Sequence, residues 1–206
     1  MSRFFLVRPG CTEFDEQQRI QGRLDLPLSC KGVEQVERLL AELADRPLDK
    51  VYCCPTEPAL TTARQLAQAH GIPFKALPGL ANIDQGLWQG LPWEELKRKQ
   101  PRVYRQWLES PELVCPPAGE SLSDAAERVR EALHRPLKKQ GQFAIVAPDP
   151  VASLIAAVVR GQPVGVVSPL CTGRCGTWEE LPVAEMGSAP NLAPAPVAVV
   201  LRPAQA

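Results

Sequence analysis

Surplus charge of either sign is missing from this chain: 23 Lys and Arg stand against 23 Asp and Glu in 206 residues. Without a basic excess there is no electrostatic footprint for nucleic acid or for an anionic membrane surface. Long apolar runs are missing as well. The longest, 151–159 and 193–201, are too short to cross a bilayer. Residues 1–7 lack the apolar stretch of a signal peptide, so a cytoplasmic protein is expected. Histidine is scarce, with only His70 and His134. A disulfide framework is not indicated either, because the seven cysteines, at 11, 30, 53, 54, 115, 171 and 175, are odd in number and irregularly spaced. Cys171 and Cys175 are separated by three residues, where zinc knuckles use two, so reduced loop cysteines are the preferred reading. No metal or other cofactor is expected.

What the chain does have is proline, 22 residues of it, and an ordinary globular mixture with 45% hydrophobic residues. The length suits one domain, expected over 1–184. An Ala/Pro-rich tail over 185–206 should be extended or disordered, or add an edge strand over 197–201. Residues 4–7 read as a first strand, 51–55 as a second, 74–77 as a third and 143–147 as a buried strand, with a last one over 164–167. Between them, Val33, Val36, Leu39, Leu40 and Leu43 recur at helical spacing, predicting a helix over 31–44. Further helices are predicted over 57–69, 93–99, 101–109 and 122–137, and from Asp149 to Gly161. Asp149 should be the N-cap of that last helix and Pro150 its first residue, with Thr56 capping the helix after Pro55. Strands alternating with helices imply an α/β fold, a mostly parallel sheet covered on both faces in three layers.

Several motifs recur in a fixed order: Phe5-Leu-Val-Arg8-Pro9-Gly10-Cys11-Thr12, then Arg19-Ile-Gln21-Gly22 and Cys54-Pro55. Gly86-Leu-Trp88-Gln-Gly90 and Pro117-Ala-Gly119-Glu120-Ser121 follow. Together they resemble the histidine phosphatase superfamily, the phosphoglycerate-mutase-like proteins, over about residues 3–160. The resemblance implies the three-layer α/β/α sandwich of that family and phosphoryl transfer through a phosphohistidine. It also implies that the ends of strands 1, 2 and the late strand surround one crevice.

The positions this resemblance assigns to the chemistry are altered. Pro9 stands where the nucleophilic histidine is expected and Pro148 where the second histidine is expected. Pro58 replaces the second arginine, and Asn82 the acid before the Gly-x-Trp-x-Gly motif. Proline has neither a nucleophile nor a hydrogen-bond donor on its side chain. Arg8 remains. It either grips an anion or pairs with an internal carboxylate, Asp15 or Asp149. Gln21, Cys54, Glu120 and Ser121 are the other pocket candidates. A thiolate near Arg8 would be reactive, yet Cys54-Pro55-Thr56-Glu57-Pro58 offers no glycine cradle for a phosphate. Trp88, Trp93, Tyr104 and Trp107 either pack the covering segment or contact a ligand. The reading drawn from these residues is a catalytically inactive protein with a binding or regulatory role, acting on an unidentified protein partner or small anionic ligand, with a homodimer compatible. The alternative is an altered hydrolase or phosphatase that uses Arg8 with a cysteine or an aspartate.

Overall fold

The computed structural model describes residues 3–139, 141–164 and 174–182. Five strands form one sheet in the order β3-β2-β4-β1-β5: β1 (Arg3–Val7), β2 (Lys50–Cys53), β3 (Phe74–Ala76), β4 (Phe143–Val146) and β5 (Trp178–Pro182). β1 and β4, β4 and β2, and β2 and β3 pair in parallel, while β5 runs antiparallel along β1. Side chains alternate across a strand, and here the alternation divides the core. Phe4, Leu6, Tyr52, Phe143 and Ile145 face one side, under α6 (Leu122–Lys138) and α7 (Val151–Val159). Phe5, Val7, Val51, Ala144 and Val146 face the other, under α2 (Cys30–Leu43) and α3 (Ala59–His70). The result is the expected α/β/α sandwich. Phe4 and Phe143 are register partners and stack with ring centroids 5.3 Å apart. Each such ring contributes roughly 1.5–3 kcal/mol by leaving water.

The helices follow local rules with some displacements. Ser29 caps α2 by accepting from the Gly32 amide at 3.1 Å. Val36, Leu39 and Leu43 are buried on its inner face, but Val33 is 43% exposed and lies off the apolar stripe. Thr56 does not cap α3; its hydroxyl lies 3.3 Å from the Cys54 thiol. Glu57 takes that part, accepting from the Thr61 amide at 3.0 Å. Helix α7 starts at Val151, one residue later than predicted. Asp149 still serves its first turn, because Oδ1 accepts from the Ser153 amide at 3.0 Å. The short α1 (Glu13–Glu16) follows β1, and α4 (Trp93–Lys99) and α5 (Pro101–Glu109) build the covering segment. Trp88 and Trp107 pack edge to face there, 5.6 Å apart, both buried.

Close backbone approach fixes the loop after β1. A Cβ on Gly32 would lie 2.1 Å from the Cys11 carbonyl oxygen, so only glycine lets the first turn of α2 pass this loop. The antiparallel β5 was not foreseen in the sequence. The strand predicted over 164–167 and the tail over 185–206 lie outside the described residues, apart from Val164, which is buried in a 3-10 segment after α7. Among the described residues no helix is long and apolar enough to cross a membrane.

Candidate functional site

Parallel α/β sheets bind ligands beyond the carboxyl ends of their strands. At that edge, where β1 and β4 lie side by side, a cavity of about 370 Å³ opens. Arg8, Pro9, Asp15, Pro58, Pro148 and Asp149 are among its walls. Arg8 follows β1 directly and is 5% exposed. Its Nε donates to Asp149 Oδ2 at 2.9 Å, and both Nη atoms donate to Glu179 Oε1 at 3.0 Å. Glu179 stands on β5, and its other oxygen accepts from Arg160 at 2.7 Å. Asp149 is completed by the Ser153 hydroxyl, which donates to Oδ1 at 2.7 Å. Arg8 is thus held between two carboxylates, Asp149 and Glu179; of the two aspartates the sequence left open as internal partners, Asp149 makes the contact.

These contacts set the charge states. Burial alone would pull the Arg8 guanidinium down, but the charge of Asp149 and the bonds to Asp149 and Glu179 hold it above its ordinary value. Burial pushes the Glu179 carboxyl up, and the hydrogen bonds and charge of Arg8 and Arg160 outweigh it, leaving Glu179 below the usual glutamate range. An isolated arginine buried here would be costly; a paired one is stable in its charged form.

Asp15 is positioned by α1. Thr12 caps that helix, and a reciprocal capping box ties the two residues. Asp15 Oδ2 accepts from the Thr12 amide at 2.7 Å and from the Thr12 hydroxyl at 2.8 Å. Its Oδ1 accepts no hydrogen bond among the described residues, and the residue lines the cavity.

The thiols divide by place. Cys11 and Cys175 both line the cavity. The Cys175 thiol is pushed far up by burial, by the charge of Asp15 and by its contact with Cys11, so it stays protonated. Cys53, buried in the sheet, is pushed up to about 12 by burial, with Cys54 adding to the effect. Cys54 is fully buried against Thr56 and does not reach the cavity. Cys11 is in contact with Cys175.

Of the residues singled out in the sequence, Arg8, Pro9, Asp15, Gln21, Pro58 and Pro148 come together around the cavity. Four others do not. Asn82 is buried behind it, donating to the Asp149 carbonyl at 3.2 Å and accepting from the Ile83 amide at 2.9 Å. Glu120 is taken up by Arg128 and Arg23, and Ser121 is the N-cap of α6. Neither histidine lines the cavity. Of the four aromatics, Trp93 alone lines it. Sequence reasoning missed Gln85, Lys31, Arg174, Cys175 and Glu179. Among the described residues no group of three His, Cys, Asp or Glu could hold a metal ion.

Comparison with known proteins adds the kinship. The chain is 33% identical to phosphoserine phosphatase 1 of Hydrogenobacter thermophilus over 146 residues, 71% of this chain and 69% of that protein. It is 34% identical to a bifunctional protein of Mycobacterium tuberculosis over 135 residues, 65% of this chain but only 37% of that longer protein. In three dimensions it is similar to a mycobacterial glucosyl-3-phosphoglycerate phosphatase complexed with VO3, with a TM-score of 0.81 and 23% identity, covering 88% of this chain and 91% of that one. That last likeness supports the fold alone. The expectation of an inactive binding or regulatory protein is corrected by the first relative, which is an enzyme by name and aligns over most of both chains. The family profile that matches residues 4–169 is that of the histidine phosphatase superfamily (branch 1), and the chain belongs to that superfamily.

Proposed function

We propose that the chain hydrolyses phosphate monoesters in this cavity by a route that uses no imidazole. The observation that carries the reading is kinship at 33% identity with a protein named as a phosphatase. The cavity at the strand ends, with Arg8 at its wall, supports it. Positions 9 and 148 are proline and no histidine lines the cavity, so a phosphohistidine is not available as an intermediate. Direct attack by water is. Asp15 suits the base: it lines the cavity, and Thr12 fixes one oxygen while the other accepts no hydrogen bond among the described residues. In this step the water oxygen bonds to phosphorus as the ester P–O bond breaks. Asp15 takes the water proton, and the departing alkoxide is protonated from solvent.

Arg8 retains donors for the phosphoryl oxygens. A guanidinium has five N–H groups, and Asp149 and Glu179 engage one at each nitrogen, leaving two. Lys31 and Arg174, both exposed at the cavity wall, supply further positive charge. The aspartate is favoured over Cys54, which lies outside the cavity, and over Cys175, whose thiol is held protonated. The test is phosphate release from an aryl phosphate. Asp15→Asn keeps the shape and loses the base, so the rate should fall by about 10²–10⁴-fold. Undiminished turnover by Asp15→Asn would remove Asp15 from the mechanism.

A further inference from the structure

The cysteines among the described residues are all free thiols, and most are isolated or inert. Cys30 is exposed at the start of α2. Cys53 and Cys54 lie in the core beneath α2 and α3, and the Cys115 thiol donates to the Pro116 and Gly119 carbonyls. Cys11 and Cys175 differ. They come from opposite ends of the chain, both line the cavity, and their side chains are in contact. The proposed hydrolysis uses neither.

The backbone sets this meeting. β1 and β5 pair antiparallel with Val7 opposite Trp178. Past the strands the pairing continues: the Arg8 amide donates to the Thr177 carbonyl at 2.8 Å, and the Gly176 amide to the Pro9 carbonyl at 2.8 Å. The same register sets Cys175 opposite Gly10, one residue from Cys11. Gln35 on α2 holds both loops. Its Oε1 accepts from the Cys11 amide at 2.8 Å, and its Cβ lies against Gly176, where an added Cβ would come within 2.6 Å. Folding therefore already bears the entropy of bringing two remote cysteines together.

We infer that Cys11 and Cys175 form a reversible disulfide, a redox site in the cavity wall that staples the loop after β1 to the segment before β5. The oxidant class is a low-molecular-weight disulfide, RSSR. The Cys11 sulfur gives its proton to solvent, attacks RSSR and expels one RS⁻, which is protonated to RSH. The Cys175 sulfur then loses its proton to solvent, attacks the Cys11 sulfur of the mixed disulfide and expels the second RS⁻ as RSH. Two protein thiols and RSSR thus become one protein disulfide and two RSH, with two electrons passing to the oxidant. The order follows from Cys175, whose thiol keeps its proton through burial, the charge of Asp15 and the contact with Cys11. Capping Cys11 weakens the last of these. The inference does not depend on the phosphomonoester reading.

The test is equilibration of the whole protein in a glutathione redox buffer, acid quenching, and peptide mapping without reduction. Tryptic cleavage after Arg19, Arg160 and Arg174 puts Cys11, Cys171 and Cys175 in three different peptides, so each pairing has its own mass. The peptide pair joined through Cys11 and Cys175 should be the main intramolecular link, and excess dithiothreitol should release it. In urea, which dissolves the β1–β5 pairing, the share of that link should fall about ten-fold or more. Cys175→Ser should trap the first step as a glutathione adduct on Cys11. A Cys171–Cys175 link in place of the expected one overturns the inference. So does an equal share of the Cys11–Cys175 link in urea, or adducts on exposed Cys30 while Cys11 and Cys175 stay free.

Discussion

Replacing Arg8 with methionine should destabilise the protein far more than a surface change would. The substitution keeps much of the side-chain volume and removes the charge. It leaves Asp149, whose side chain is 8% exposed, without its cation, and Glu179, 30% exposed, without one of its two. Breaking a buried pair by deleting one partner costs about 3–5 kcal/mol. The less buried Glu179 adds little, because water and Arg160 can still serve it. For a chain of this size that loss lowers the melting temperature by about 6–20 °C. Urea unfolding followed by tryptophan fluorescence measures it, with Asp149→Asn and the double variant completing a cycle. The two single losses should exceed the double loss by about 0.5–3 kcal/mol, since the residues act as a unit. A loss under about 1 kcal/mol for Arg8→Met, or strict additivity, would refute the claim that buried Arg8 is held in its charged form by Asp149 and Glu179.

Other outcomes follow from the same contacts. Glu179 has a folded pKa below its ordinary value, so its contribution is complete above the unfolded glutamate range near pH 4.3 and is lost as pH falls through the lower folded value. The native chain should therefore lose more stability than Glu179→Gln as the solution is acidified, and parallel melting curves for the two would contradict this. Gly32→Ala should cost about 1–3 kcal/mol through overpacking, because its Cβ meets the Cys11 carbonyl oxygen at 2.1 Å; a native melting temperature would argue against that backbone contact. Alkylation by iodoacetamide near neutral pH, read by mass spectrometry, should mark exposed Cys30 well before Cys53 and Cys175, whose thiols are pushed up. Early labelling of Cys175 would mean that its site is open.

Much of the frame was legible in the sequence because burial imposes periods. The alternation of Phe4, Phe5, Leu6 and Val7 divides between two core faces, and the helical spacing in α2 and α6 follows the sheet they cover. Val33 misled because an apolar residue costs little on a helix edge. Strand β5 was hidden for a different reason. Trp178-Glu-Glu-Leu-Pro182 has no apolar alternation, and an edge strand is held by backbone pairing along β1, which side chains do not advertise. Glu179 was hidden with it, so the second carboxylate on Arg8 could not be read from spacing. Asp149, three residues past the end of β4, was one of two aspartates within reach of Arg8 in the sequence reading, and the choice between them, or an anion instead, depends on how β1 and β4 end side by side. Asn82 and Glu120 were misplaced because motif position fixes the backbone, whereas the hydrogen bonds they make to neighbouring loops decide where the side chain points.

The stereochemical course at phosphorus tests the central claim most directly. A phosphorothioate ester made chiral by oxygen isotopes, hydrolysed in isotopically labelled water, distinguishes one displacement from two. Direct attack by water activated at Asp15 predicts measurable turnover with inversion. Net retention would reveal a covalent phosphoenzyme and contradict the single-displacement route, and no hydrolysis above the buffer rate would contradict the assignment of the chain as a phosphomonoester hydrolase.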